Sequence, residues 1–411
     1  MPKNVIKFLD VTNRDGVQTS RLGLSKIQKT MLNIMLNKVG VYQSEFGFPT
    51  TRHETHYLNA NVELAKLGVI SPMILEGWIR AIKEDVLITT ELTDIEHLNL
   101  SISTSEQMTQ GKFQGRVTRD QVIDMMVEAT KTAKEKGIKT IGVNAEDSSR
   151  TDMEYLLQFA QAAKEAGAMR IRYCDTLGYE SPKRIRVRCK KIAEEIKLPV
   201  ELHCHNDLGM AVANSIEGAL GVIDGGQDAY INTTVNGMGE RAGNADLVSC
   251  ILGVKYAAKI AEEDLLDPNI ELNQTWRLAQ YASYAFDVPI PINQPGVGAN
   301  AFAHESGIHA DGALKDRKNY ELYDYEILGR GEPEIVETGR SITTGEYSGI
   351  KGFLHVAGKY DVEFKNDEDA RDKLDLTRFA NVDTQKPLTE EEVLFICNYP
   401  EIARKILTKT P

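Results

Sequence analysis

Thr140-Ile-Gly-Val-Asn-Ala-Glu146 is followed by Asp152-Met-Glu-Tyr-Leu-Leu-Gln-Phe-Ala-Gln-Ala-Ala-Lys-Glu-Ala166, then Gly167, then Arg170-Ile-Arg-Tyr-Cys-Asp175. The outer segments are short runs of strand length. The middle segment repeats its apolar residues at helical spacing and ends on a glycine suited to a helix C-cap. This strand–helix–strand unit recurs along the first 260 residues or so. Further strands are expected at Val5–Asp10, Tyr42–Phe46, Pro72–Trp78, His97–Thr104, Pro199–His205 and Tyr230–Asn236, with helices clearest at Ser25–Lys38, Arg119–Lys136 and Pro182–Lys197. Eight alternating units predict a parallel sheet covered by helices. Polar residues gathered just after the strands favour the closed form, a (β/α)8 TIM barrel, which keeps its chemistry at that end.

Beyond the eighth unit the pattern changes. Asp287-Val-Pro-Ile-Pro-Ile-Asn-Gln-Pro-Gly296 is proline-rich and reads as an extended crossing segment. The expected organisation is a catalytic barrel over 1–285, a linker and active-site subdomain over 286–330, and a mixed helical C-terminal extension over 331–411. A chain of 411 residues suits one large domain plus an appendage. The net charge of -12 argues against general binding of nucleic acid or membrane surfaces. Five scattered cysteines without a CxxC pair suit a reducing compartment. No apolar leader or bilayer-length run is evident, so a cytoplasmic location is expected.

Three stretches carry the chemistry. In Val200-Glu-Leu-His-Cys-His-Asn-Asp207, His203 and His205 stand two apart on a strand and face one side, which Glu201 shares. In Asp10-Val-Thr-Asn-Arg-Asp-Gly-Val-Gln18, directly after the first strand, Asp15 is placed to meet them, because only the eighth strand separates strands one and seven around the rim. One aspartate and two histidines leave coordination positions open, as catalytic metal sites do. Asn236-Gly-Met-Gly-Glu-Arg-Ala-Gly-Asn244 follows the last strand. Its Gly237, Gly239 and Gly243, with Arg241 among them, are candidates for holding an anionic cofactor through backbone N–H groups near a helix start.

Taken together, Arg14-Asp15-Gly16-x-Gln18, His203-x-His205-Asn-Asp and Gly239-Glu-Arg-Ala-Gly-Asn244 resemble the signatures of the acyl-CoA-using metal-dependent barrel enzymes. The nearest branch is that of the isopropylmalate, citramalate, homocitrate and Re-type citrate synthases. Glu45-Phe-Gly-Phe-Pro49 and Asp175-Thr-Leu-Gly178 extend the likeness along the chain. The first signature departs from the usual Asp-Thr-Thr-Leu-Arg-Asp-Gly, reading Asp10-Val-Thr-Asn-Arg-Asp-Gly.

The resemblance implies an acyltransferase that condenses acetyl-CoA with a 2-oxo acid, turning the acyl group into an alkyl group, and then hydrolyses the thioester. It implies Asp15, His203 and His205 as ligands of a divalent ion (manganese, zinc or magnesium), with Asn244 in or near the shell. Arg14 would stabilise the developing alkoxide. Gln18 and Thr176 would hold the substrate carboxylate. His309, within His304-Glu-Ser-Gly-Ile-His309, and Tyr320 would come from the partner of a homodimer. A rim carboxylate, Glu146 or Glu201, would orient that histidine.

Substrate choice turns on a second cation. Arg172 lies an even number of residues before Thr176 and faces the barrel interior with Arg170 below it. A buried arginine needs an anion. Either a barrel carboxylate supplies it, or Arg172 clamps the distal carboxylate of a dicarboxylic oxo acid. Homocitrate synthases carry a substrate arginine where this chain has Gly142, which places oxaloacetate ahead of 2-oxoglutarate. Competing readings weaken on inspection. Residues 236–244 lack the cysteine of the related acyl-CoA lyases, the expected fifth and sixth strands lack a lysine to be carbamylated, and an inactive barrel has no need of the ligand set.

Overall fold

The computed structural model describes residues 3–331 and 342–409. Eight parallel strands close into a barrel in sequence order. They are β1 (Ile6–Asp10), β2 (Gln43–Gly47), β3 (Ile74–Arg80), β4 (His97–Ser103), β5 (Thr140–Glu146), β6 (Arg170–Asp175), β7 (Val200–Cys204) and β8 (Ala229–Thr233). Closure is made by β1 on β8, with Ile6 opposite Ala229 and Asp10 opposite Thr233. The strands expected from the sequence are all present, two of them (Thr140–Glu146 and Arg170–Asp175) with the expected ends and the others with ends shifted by at most three residues.

Local chemistry explains the helix boundaries. Ser25 and Gln28 form a reciprocal cap on the helix Lys26–Val39, and Gly40 ends it in the left-handed region. Thr118 and Gln121 repeat that cap on Arg119–Glu135. Asp152 accepts from the Tyr155 N–H to start Met153–Ala166. Outward-facing strand residues such as Leu98, Leu100, Val143 and Leu202 pack against these helices in one continuous apolar core.

The barrel interior, by contrast, is polar. Gln43, Glu45, Glu76, Asn99, Asn144, Arg170, Arg172, Glu201 and Asn232 are all buried. The chain then runs through the helix Thr275–Phe286 and the proline-rich segment, which is irregular and tied down by Arg330 donating to the Gly296 and Gly298 carbonyls. The helix Gly307–Lys315 comes next, and among the described residues four more follow: Ile350–Gly358, Asp367–Thr384, Glu390–Asn398 and Pro400–Leu407. Phe353, Leu374, Val393 and Cys397 form a small core of their own. The last helix packs on Thr55–Lys66 and Lys26–Val39 of the barrel. The start of the final unit expected from the sequence abuts 332–341, which lie outside the described residues. Among the described residues no helix is long and apolar enough to cross a membrane.

A candidate metal-binding active site at the barrel mouth

Asp15, His203 and His205 converge as the sequence spacing predicts, their ligand atoms within 4.8 Å of one another. His203 Nε2 lies 3.4 Å and His205 Nε2 3.7 Å from Asp15 Oδ2. The loop after β1 turns back on Val11, whose carbonyl accepts from the N–H groups of Arg14, Asp15 and Gly16. That turn aims Asp15 across the mouth at β7.

The electrostatics suit a cation. Burial pushes the Asp15 carboxyl up, but the Arg14 guanidinium and the two imidazoles outweigh it and hold the group well below the usual carboxylate range. Burial drives both histidines below their ordinary value, against the attraction of Asp15, so they stand neutral with lone pairs free. One ionised carboxylate and two neutral imidazoles fit a divalent ion. Asn244 donates to Asp15 Oδ2 at 2.6 Å, and its own Oδ1 is buried without a protein partner. In this arrangement Asn244 orients the carboxylate. Both Nδ1 atoms also lack a protein partner, so each ring is held by packing and not by a second hydrogen bond.

Arg14 donates through Nε to Glu45 and through Nη1 to Asp15 at 3.0 Å, and its guanidinium lies 5.4 Å from the Trp78 ring centre. Its Nη2 makes no bond to another described residue and remains free for an oxyanion. Thr176 accepts from the Asp147 N–H at 3.0 Å, leaving its hydroxyl hydrogen free. Gln18 ends the short turn Gly16–Gln18 and is exposed. Glu146 stands at the rim, paired with Lys112 at 2.7 Å and accepting from Ser103.

Three expectations need correction. Arg172 is fully buried and is no substrate clamp. Its Nε meets Glu201 at 2.6 Å, its Nη1 meets Glu45 at 2.7 Å, and its Nη2 lies 3.7 Å from Glu76. Glu45 and Glu201 are the anions that burial demands. Glu201 is likewise sealed in the barrel interior, held by Arg170 and Arg172, and does not stand at the rim.

The glycine loop, third, does not offer its N–H groups to an anion. Those of Gly237, Gly239 and Gly243 go to the Thr234 carbonyl, the Thr19 hydroxyl and the Glu240 carbonyl. Asp246 caps the helix Leu247–Tyr256 that follows. Glycine is needed for close packing: a Cβ on Gly239 would sit 2.0 Å from Asn244 Oδ1, and one on Gly243 would sit 2.0 Å from the Gly237 carbonyl, both at positive φ. Arg241 is committed to Asp207 at 3.0 Å and to the Thr176 carbonyl.

His309 and Tyr320 stack on each other at 4.3 Å in the segment after the barrel, and both are exposed. His304 lies 6.5 Å from His309 and pairs with Glu321 at 3.2 Å.

Sequence reasoning gave no role to Glu45, quoted there only within a motif, or to Glu76. Their signal was available: both are charged residues at inward positions of their strands, the same alternation that drew attention to Arg172. Burial pushes the Glu76 carboxyl up to about 8, against the pull of Arg170 and with Glu201 adding to the rise. A neutral Glu76 leaves Glu45 and Glu201 to balance Arg170 and Arg172. In the unfolded chain this carboxyl ionises near 4.5. The folded state therefore binds the extra proton between these values, and its advantage fades as pH rises from about 4.5 through about 8. Glu76→Gln should flatten that decline. Denaturant midpoints measured for both proteins across the window check it, and parallel curves would contradict it.

A closed parallel barrel with an Asp-His-His cluster at its C-terminal mouth defines the class as a barrel enzyme with a candidate metal site. The family model HMGL-like matches residues 5–281, and that of the homocitrate synthase post-HMGL domain matches residues 297–376. The chain belongs to the HMGL-like family, in the branch of the 2-oxo acid/acetyl-CoA synthases. It is 59% identical over 408 residues to a citrate (Re)-synthase of Dehalococcoides mccartyi, covering 99% of this chain and 98% of that protein. It is 35% identical to 2-isopropylmalate synthase 2 of Caldanaerobacter subterraneus (95% and 94% covered) and 32% identical to homocitrate synthase 1 of Nostoc (95% and 96% covered). Among solved structures, hydroxymethylglutaryl-CoA lyase from Pseudomonas aeruginosa shares the fold at TM-score 0.57 and 14% identity, covering 71% of this chain and 95% of that one.

Proposed function

We propose that this chain condenses acetyl-CoA with oxaloacetate and hydrolyses the resulting thioester to citrate, the acetyl carbon becoming an alkyl arm of the product. The observation that carries the reading is the near-full-length likeness to a citrate (Re)-synthase, with the Asp15, His203 and His205 cluster at the mouth in support. Those three side chains would hold a manganese, zinc or magnesium ion, with Asn244 steering the Asp15 carboxylate. When bound, such an ion chelated by a 2-oxo acid polarises the C2 carbonyl.

The chain's own groups account for the rest. Arg14 directs its free Nη2 at the oxygen that gains charge, in a site where water is scarce and the guanidinium is already held by Glu45 and Asp15. The Thr176 hydroxyl, with Gln18 of the loop after β1, serves the C1 carboxylate. The distal carboxylate of oxaloacetate needs a cation near the mouth, and Arg172 does not reach it. A cavity of about 240 Å³ opens beside Trp78, lined by Ser101, Ser103, Lys112 and Glu146. Lys112, half-exposed at its lip, is the cation that fits the second carboxylate. Thiol release should be fastest with oxaloacetate among oxaloacetate, 2-oxoglutarate, pyruvate and 2-oxoisovalerate. Lys112→Met should raise the oxaloacetate KM by about tenfold or more, the worth of one charge-assisted hydrogen bond. Preference for 2-oxoisovalerate would overturn the substrate reading.

The base is His309 of a second copy, oriented by Glu146, with Tyr320 beside it. The exposure of both rings, and of Ile308 and Leu322 around them, supports a segment made to dock on a partner barrel. Complementation tests this directly. His309→Ala and His203→Ala proteins, each inactive, should regain activity when mixed and allowed to exchange subunits, whereas a mixture that stays dead would refute a shared site.

A further inference from the structure

A second cavity, of about 290 Å³, lies on the far side of the barrel wall, between the helices Lys26–Val39 and Thr275–Phe286 and the C-terminal helix Glu390–Asn398. Its floor is apolar and buried: Met31, Met35, Leu278 and Phe395. Its mouth carries Lys38, Arg277 and Glu391, with Arg277 Nε 2.7 Å from Glu391. Two cations against one carboxylate leave this mouth positive on a chain whose net charge is -12. An apolar floor does not hold ordered water, and pockets of this size and make-up, at a junction between domains, suit small ligands.

The two wall helices also grip two of the loops at the metal site, those that carry Asp15 and Asn244. Asn13, two residues before Asp15, donates to the Lys29 carbonyl at 2.8 Å and to Asn33 at 2.9 Å, on the helix that supplies Met31 and Met35 to the cavity. Asn236, in the loop that carries Asn244, donates to the Ala279 carbonyl at 2.9 Å, next to Leu278 of the cavity floor. A molecule wedged between these helices moves the anchors of both loops.

We infer that this cavity is an effector site for a small molecule with an unbranched apolar body and a carboxylate head, the head meeting Arg277 and Lys38 and the body filling the space over Met31, Met35 and Phe395. Binding there is transmitted to the loops bearing Asp15 and Asn244. The inference stands whichever oxo acid the enzyme uses.

Calorimetric titration of the full chain with hexanoate and with norleucine tests it and separates the two sources of such a head group: the amino acid adds an ammonium facing Glu391, and the fatty acid does not. Saturable binding of at least one is expected, weakened about tenfold or more in Arg277→Gln, an exposed position whose substitution leaves the core untouched. No binding at millimolar concentration, or equal binding by the variant, would overturn the site. The coupling has its own readout. The chain has two tryptophans, so Trp276→Phe leaves Trp78, which stacks against Arg14, as the one reporter. Saturating ligand should change its emission, and an unchanged spectrum would overturn the transmission to the active site.

Discussion

His203→Ala protein is expected to fold normally, to lose its divalent metal, and to release thiol from acetyl-CoA at least about a thousandfold more slowly in the presence of oxo acid, the scale set by loss of a preorganised electrostatic stabiliser. The expectation of normal folding rests on the side chain's contacts. Its Nδ1 bonds to nothing in the protein and its Nε2 faces Asp15 across the site, so removing the ring deletes a ligand and no structural bond. Metal analysis beside circular dichroism separates the two effects. His309→Ala provides the contrast, since that ring lies outside the cluster: metal should stay bound while condensation stops. Full metal occupancy in the His203→Ala protein would sink the assignment of the cluster.

The other large effect is on stability. Arg172→Met leaves Glu45 to Arg14 alone and Glu201 to Arg170 alone in the barrel interior, removing the second guanidinium that they now face at 2.7 and 2.6 Å. Removing one partner of a buried ion pair costs about 3–5 kcal/mol when the remaining charge is left unpaired, and here the interior is left with two desolvated carboxylates short of one compensating cation. The denaturation midpoint should fall accordingly. The site should suffer as well, since Glu45 is the group that holds Arg14. A substrate clamp would behave differently, with unchanged stability and a raised KM for the oxo acid. Equilibrium unfolding and steady-state kinetics on one preparation therefore decide between the two roles, and a stable variant with a raised KM would restore the clamp.

Much of this molecule was legible in its sequence. The strand–helix units of the barrel show because each strand is short, with apolar residues on its outward face, and several helices have their own caps, such as Ser25 with Gln28 and Asp152 on Tyr155. These are local matters, settled by residues within a turn of one another. The metal cluster shows for a related reason. His203 and His205 share a face by strand alternation, and once eight units are counted, barrel closure brings the loop after the first strand within reach of the seventh.

What the sequence left open depended on groups far apart in the chain. Whether Arg172 met a substrate or a protein carboxylate was settled by Glu45, Glu76 and Glu201 arriving from three other strands, and no local pattern states that balance of charge. The same holds for the loop after the last strand. Its glycines could equally have cradled an anion, but the Thr19 hydroxyl and the Asn244 amide, brought in by packing, use the space and the hydrogen bonds. Local propensity set the elements and the faces they present. Burial, which makes every charge find a counter-charge, set the partners, and that could be read only after the barrel had closed.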